Sequence, residues 1–443
     1  MNLRHDFEAI RNAALSAVDP FAAVKRALSQ RVGIFCDDPD GMKCGLATGR
    51  LILVAVGKAA MPMAAAAFDR LGELIDEGLV VTKHGHLLGY ELPSSCQVIE
   101  AGHPVPDPAG LEAGRRLIDL LESTAEHDLV LVLLSGGASA LLPAPVRGVS
   151  LDDLQATTDL LLRSGATIVE INAVRKHLSS LKGGQLARLA APARIVSLIL
   201  SDVVGDPLDV IASGPTVADP TSFADALKVL AQRQVADRMP PAVTDCLHSG
   251  AAGERDETPK PGDGLFDRVT NLIVGSNRLA ATAAVNAATD YGYHSLLLTT
   301  FLEGEAREIA KVIVALARGI RAHGDPISPP ACLVLGGETT VTVRGEGKGG
   351  RNQELALAAA LGLEGMEGVG LMALATDGTD GPTDGAGAVV DGQTVRKAAA
   401  RGWDVVAALR DNNAYPVLAD TGDLLRLGPT GTNVNDLLVL LVT

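Results

Sequence analysis

The spacing of hydrophobic and polar positions changes along the chain, and the changes predict its elements. Over the first thirty residues the apolar side chains recur at helical spacing. Phe7, Ile10, Ala14 and Ala17 fall on one face, and Asp19-Pro20 offers an N-cap with proline at the first position of a second helix. From residue 51 onward, short unbroken aliphatic runs alternate with longer amphipathic ones. The runs at 51–56, 78–82, 97–101, 128–134 and 194–200 read as buried strands. Stretches near 59–71, 109–122, 151–163 and 169–189 read as the helices between them. Such alternation implies right-handed crossovers and a mostly parallel sheet, whose strands are buried on both faces. Between Ser249 and Gly264 the sequence turns to glycine, proline and charge, which marks a linker or long loop. The alternation then resumes, with strands at 271–274, 295–299, 332–335, 339–343, 370–375 and 437–442 and helices near 278–289, 305–321 and from Arg351. Two α/β domains joined near residues 240–270 are expected.

Composition narrows this picture. Aliphatic residues must build the core, because aromatics are only 3% of the 443 residues. The net charge of −15 argues against wrapping nucleic acid or resting on anionic lipid, so neither is an expected partner. It leaves room for a small anionic ligand, which a few local cations and backbone N–H groups can hold. The five cysteines (Cys36, Cys44, Cys96, Cys246, Cys332) have no CxxC spacing, so no disulfide framework or zinc knuckle is indicated. No signal-peptide core and no membrane-length apolar run is present, and a soluble cytoplasmic protein is expected. The oligomeric state stays open, a homodimer included.

The loops at the strand ends carry the candidate chemistry, since ligands of open α/β sheets bind outside the carboxyl ends of the strands. Gly57-Lys58 follows the first strong strand but lacks the preceding residues and the Ser/Thr of a phosphate-binding P-loop. Lys58 is there a point charge at a helix start, or else a solvated lysine. Ser135-Gly136-Gly137-Ala138-Ser139 is small enough to bring a ligand onto successive backbone amides, and is not a nucleophile elbow because Leu141 replaces its last glycine. Arg175 and Lys182, seven residues apart, share a helical face and form either an anion site or a solvated stripe. Asp202 sits at a strand end, as a metal or proton-transfer carboxylate or in an Asx-turn. Gly336-Gly337-Glu338 opens a stretch in which residues 345–350 satisfy GxGxxG, enclosing Lys348 and ending on Gly350 before Arg351. Alone, that pattern is weak support for a dinucleotide; with Lys348 and Arg351 it favours oxyanions generally. An arginine at a helix start opposes the helix dipole, a local misfit that hints at function. Asp377, Asp380 and Asp384, separated by glycines, suit Mg²⁺ shared with nucleotide phosphates, or cap their own loop. His103-Pro104 is a site residue or a structured turn.

Taken together, GKAAMPMA (57–64), AGHPVPD (101–107), LLSGGASALL (133–142), NAVRKHLSSLKGG (172–184), SDVVGDPLDVIASGPT (201–216), GGETTVTVRGEGKGGRNQE (336–354), ATDGTDGPTDGAGA (375–388) and GTNVNDLLVLL (431–441) resemble the type II glycerate kinases, the MOFRL family. The resemblance covers nearly the whole chain. It implies a Rossmann-like α/β/α N-terminal domain (residues 1–250), a smaller α/β C-terminal domain (265–443) and an active site in the cleft between them. It also implies ATP-dependent phosphorylation of D-glycerate at the 2-hydroxyl with a divalent cation such as Mg²⁺, and Lys58 and Arg351 look like the family's active-site cations. On this reading Lys58, Arg351, Asp202 and Asp377 are catalytic. Ser135, Gly136, Gly137, Ser139, Gly337, Lys348 and Gly350 contact ATP. His103, Arg175, Lys182 and Glu338 contact glycerate, and Asp377 with Asp380 holds the metal. The competing expectation is an NAD(P)H-dependent hydroxypyruvate reductase, supported by the lone GxGxxG; a non-catalytic nucleotide sensor is a third.

Overall fold

A computed structural model describes residues 2–30 and 49–443; Cys36 and Cys44 lie outside them. The chain divides into two units. The N-terminal unit comprises Pro20–Ser201 and Asp206–Val274, and the C-terminal unit comprises Met1–Asp19, Asp202–Gly205 and Gly275–Thr443. These limits differ from the contiguous division expected from the sequence. The first helix, Leu3–Ala17, packs in the C-terminal unit on the helix Asn277–Asp290, where Tyr293 Oη donates to the buried Asp6 carboxylate at 2.7 Å. The second, Pro20–Gln30, packs in the N-terminal unit on the helix Ala60–Leu71. The proline at position 20 thus starts a helix and marks a unit boundary.

The N-terminal unit holds six strands: β1 (Leu51–Val56), β2 (Glu77–Lys83), β3 (Cys96–Ala101), β4 (Leu129–Leu134), β5 (Arg194–Leu200) and β6 (Val269–Gly275). Their order is β3-β2-β1-β4-β5-β6, and β1 to β5 pair in parallel with each of their neighbours among themselves. This is the doubly wound order of a Rossmann-like sheet, which reverses direction between β1 and β4. Every residue of β1 and β4 is buried, as their unbroken aliphatic sequences require. The expected helix over 169–189 is two helices, Ile168–His177 and Gln185–Ala190. Gly183 and Gly184 take positive φ between them, and Ser179 Oγ accepts from the backbone N–H groups of Leu181 and Lys182. The start of the expected 240–270 junction is also regular, since Pro241–Ala251 is a helix.

The C-terminal unit holds β7 (His294–Glu305), β8 (Ala331–Thr340), β9 (Val369–Ala375), β10 (Gly387–Asp391), β11 (Leu424–Leu425) and β12 (Asp436–Val442) in the order β11-β10-β9-β12-β8-β7. Only β7 and β8 pair in parallel; the other pairings are antiparallel, against the parallel sheet that alternation alone suggests. Two of these pairings come from the terminal run Asp436–Val442, which is buried throughout and inserts between β8 and β9. Antiparallel insertion brings the start of β12 beside the ends of both neighbours, so Asp436 pairs in register with Gly337 and with Ala375. Gly337 has φ 149° and a side chain there would meet Leu302 O at 2.2 Å, so this glycine serves the close approach of β7.

Candidate functional site

In the N-terminal unit the loops after β1 and β4 meet at the point where strand order reverses. They are pinned to each other: Ser135 Oγ accepts from Ala59 N at 3.0 Å, and Lys58 N donates to Gly136 O at 2.9 Å. Gly57 must be glycine, because its φ is 134° and a side chain would lie 2.2 Å from Ser135 Oγ. Ser135 is therefore the pin of the two turns, with its oxygen turned inward. Among the described residues, the N–H groups of Gly136, Gly137, Ala138 and Ser139 have no hydrogen-bond partner, and neither has Lys58 Nζ. Four amides and an ammonium without partners among the described residues, on adjacent turns, have the chemistry to hold an anion.

His103, from the loop after β3, closes against this surface. A side chain on Gly137 would meet His103 Nε2 at 3.2 Å and Lys58 Cε at 3.4 Å. Burial, and then the nearby Lys58, Lys83 and His86, push the His103 imidazole down to about 4. It is thus neutral at physiological pH. Between 6.5 and 4 the unfolded chain takes up a proton that the folded site refuses, so stability falls as pH falls through that window. We expect the His103 ring signals in a two-dimensional NMR titration to stay in the neutral form down to about pH 5; a midpoint near 6.5 would contradict this environment.

A second cationic group lies in the same unit. Lys182 Nζ donates to Leu142 O at 3.3 Å, and Arg175 Nε donates to Thr158 Oγ1 at 3.4 Å. They do not share a helical face, since the helix ends at His177, but the Ser179–Gly184 turn returns Lys182 to the vicinity of Arg175. Burial, together with Arg175, pushes Lys182 down to about 7, and burial lowers Arg175. No carboxylate pairs with either among the described residues. Two neighbouring, desolvated cations without a counter-ion destabilise the free protein and await an anion. Lys182→Met is accordingly expected to raise the thermal midpoint of the ligand-free protein, by roughly 2–4 °C if about 1 kcal/mol is relieved, while weakening substrate binding. A lowered midpoint in calorimetry would show the ammonium to be satisfied internally. The next residue, Lys176, differs: it is buried on Asp219 at 3.2 Å and Asp209 at 3.5 Å, a structural pair.

In the C-terminal unit the register of β12 creates a polar cavity of about 270 Å³, lined by Asp202, Glu338, Arg351, Ala375, Thr376, Asp377, Asn433, Asn435 and Asp436. Arg351 is its centre. Its Nε and Nη2 grip Asp436 at 2.6 and 3.0 Å, and Nη1 donates to Glu338 at 2.6 Å. Burial pushes Asp436 up to about 6 against the pull of Arg351, so the carboxylate is still ionised at neutral pH. Burial alone would lower Arg351, but Asp436 and Glu338 hold it above its ordinary value. Its misfit at a helix start is resolved by Asp380, whose buried carboxylate accepts from Asn352 N at 3.2 Å and Gln353 N at 2.9 Å. Asp380 thereby caps the helix Arg351–Leu363 and does not line the cavity. Asp377 does line it, with Oδ1 accepting from Thr379 N in an Asx-turn.

The GxGxxG segment is held by the turn at residues 411–413. Asn412 Oδ1 accepts from Arg344 N and Gly345 N, Asp411 accepts from Glu346 N and Gly347 N, and Asn413 Oδ1 accepts from Lys348 N. The amides of residues 344–348 are thus occupied, and no strand leads directly into the loop. Lys348 Nζ rests 4.6 Å from the centre of the Tyr415 ring. A side chain on Gly350 would lie 2.3 Å from Asp380 Cγ, so that glycine admits the cap. Asp436 escaped the sequence reading although NVND before an aliphatic run marks it; only strand register reveals its partner.

Switch-point turns with free amides and cations in one unit, and an arginine–carboxylate cavity in the other, suit an α/β enzyme acting on small anions. Residues 6–248 match the family described as "Domain of unknown function (DUF4147)", and residues 331–436 match the MOFRL family. The glycerate 2-kinase of Pyrococcus horikoshii is 44% identical, the match covering 97% of this chain and 95% of that protein. A crystal structure of glycerate kinase from Thermotoga maritima superposes with a TM-score of 0.89 at 44% identity, over 100% of this chain and 99% of that one. A relative in Agrobacterium vitis named as a hydroxypyruvate reductase is 39% identical, over 100% of this chain and 95% of that protein. The chain belongs to the MOFRL family of glycerate kinases.

Proposed function

We propose that this protein transfers the γ-phosphoryl group of ATP to the 2-hydroxyl of D-glycerate, giving 2-phosphoglycerate. The observation that carries the reading is the pinned pair of turns at the β1/β4 switch point, with Lys58 and four free amides. Phosphoryl transfer asks a protein for positioning and charge neutralisation rather than covalent chemistry, and such groups supply both. Lys58 and the amides of Gly136–Ser139 hold an anionic group of the reactants. Arg175 and Lys182 supply the missing counter-charge for the glycerate carboxylate, and neutral His103 lines the Lys58 surface. Arg351, oriented by Asp436 and Glu338, neutralises charge that builds in the transition state.

A divalent cation fits the C-terminal cavity in one form only. No group of three His, Cys, Asp or Glu side chains that could hold a metal occurs among the described residues, so a protein-only cage is not the form. Asp377 and Asp202 offer hard oxygens lining one cavity, which suits a Mg²⁺ held by one or two carboxylates and the nucleotide phosphates. Bound there, the ion would neutralise phosphate charge. Asp380, committed to its cap, is reassigned from ligand to helix support.

The reductase reading loses its footing in the occupied amides of residues 344–348. Incubation with D-glycerate, ATP and Mg²⁺ should release ADP in step with glycerate consumed. Oxidation of NADH with hydroxypyruvate, and no ADP release, would overturn the kinase.

A further inference from the structure

The hydroxyl of Ser139 has a fixed polarity, set three residues away. Asn172, buried on the helix Ile168–His177, donates from Nδ2 to Val210 O at 3.4 Å. That carbonyl can only accept, so the amide oxygen Oδ1 is turned to the other side. There it accepts from Ser213 Oγ at 3.0 Å. Ser213 has one hydroxyl hydrogen, and Asn172 has taken it. In the 2.8 Å contact between Ser139 Oγ and Ser213 Oγ, Ser139 must therefore be the donor. Ser139 is partly exposed, whereas Ser213 is fully buried, so what Ser139 offers outward is lone pairs.

The backbone gives independent support for a selected arrangement. Ser213 has φ 60° and follows Ala212 at φ 52°, left-handed conformations that glycine would adopt without strain. A serine kept there points its hydroxyl into the relay at a conformational cost.

We infer that Ser139 recognises a hydroxyl of the substrate, not a phosphate or carboxylate oxygen, and that Ser213 and Asn172 are positioning residues that make it an acceptor. The inference rests on the glycerate kinase reading, under which the group bound is the 3-hydroxyl of glycerate. The reacting 2-hydroxyl must lose its proton to a base, and a neutral serine oxygen is far too weak a base to take it. An acceptor-only serine suits the hydroxyl that keeps its hydrogen. The amides of the same turn still face an anionic group of the reactants, so backbone and side chain of one loop read two different groups.

The test uses the full chain with Ser139→Ala, Ser139→Thr, Ser213→Ala and Ser213→Gly. Dissociation constants are measured by calorimetry for D-glycerate and for D-lactate, which keeps the carboxylate and 2-hydroxyl but has a methyl in place of the 3-hydroxymethyl group. Ser139→Ala and Ser213→Ala should weaken glycerate binding roughly five- to tenfold, about one hydrogen bond, with lactate binding and the KM for ATP unchanged. Ser213→Gly should be more heat-stable than Ser213→Ala yet equally poor at glycerate, and Ser139→Thr should retain binding. Equal weakening of glycerate and lactate, a rise in KM for ATP with glycerate unaffected, or glycerate binding restored by Ser213→Gly would each overturn the assignment. If the unaltered protein binds no glycerate, the kinase reading fails and takes this inference with it. Bound glycerate that ignores the substitutions sinks the Ser139 assignment alone.

Discussion

Arg351→Met is expected to lower kcat/KM for glycerate phosphorylation by about 10³–10⁵, the range set by removing an arginine that stabilises phosphoryl-transfer charge. Methionine fills a similar volume but donates nothing. The substitution also strips Asp436 of its partner, and a carboxylate already raised to about 6 by burial will then protonate near neutral pH. The fold should survive with a loss of up to about 3–5 kcal/mol, as when one member of a buried pair is removed. Arg351→Lys should not rescue activity, because a point ammonium cannot bridge Asp436 and Glu338 as the guanidinium fork does. The double variant Arg351→Met/Asp436→Asn separates the two effects: it should recover most of the lost thermal stability and none of the rate. Recovery of turnover in the double variant would show Arg351 to be a structural neutraliser of Asp436.

Lys58→Ala should behave differently, losing rate without losing stability. The turn that carries it is held by backbone and Ser135, through Ala59 N and Lys58 N, and these bonds remain when the side chain is removed. Because Nζ has no partner among the described residues, unfolding free energy should change by no more than about 0.5 kcal/mol, as for other surface substitutions. Turnover should drop by about 10²–10³, the usual effect of losing one preorganised electrostatic contact. Denaturant unfolding and steady-state kinetics on the same preparation check both halves. Near-normal kcat/KM would remove Lys58 from the site; an unfolded variant would mean that the lysine supports the turn.

The contrast between these two cations explains what the sequence could and could not reveal. Lys58 follows an aliphatic run and precedes an amphipathic helix, so local pattern places it at a strand's carboxyl end. The strand order that makes that end a switch point is not contained in the alternation, which gives parallel pairing alone; it comes from the fold. Arg351 was visible as a misfit with the helix dipole, as a cation beside a glycine-rich segment and through its family motif, but without its partner. Its partner Asp436 stands 85 residues away, and only the antiparallel insertion of β12 brings the two together. The same limit misjudged the second sheet: alternation describes which segments are strands, but the terminal strand is free to enter between others in either direction. Glycines were the least legible residues. GxGxxG reads as a ligand loop by spacing, yet Asn412, Asp411 and Asn413 occupy its amides, and no local rule announces a partner about 65 residues on. Asp380 likewise looked like a metal ligand within an aspartate–glycine loop, whereas its carboxylate caps a helix beginning about thirty residues earlier. In each case the residue type was read correctly as polar and special. Its task depended on a long-range contact.

The most direct measurement is the identity of the product. Phosphorus and proton NMR of a reaction containing D-glycerate, ATP, Mg²⁺ and the unaltered protein should show ADP and a phosphomonoester coupled to the single C2 proton, as in 2-phosphoglycerate. A phosphorus resonance coupled to the two C3 protons, or hydroxypyruvate reduced at the expense of NADH with ATP untouched, would contradict the account.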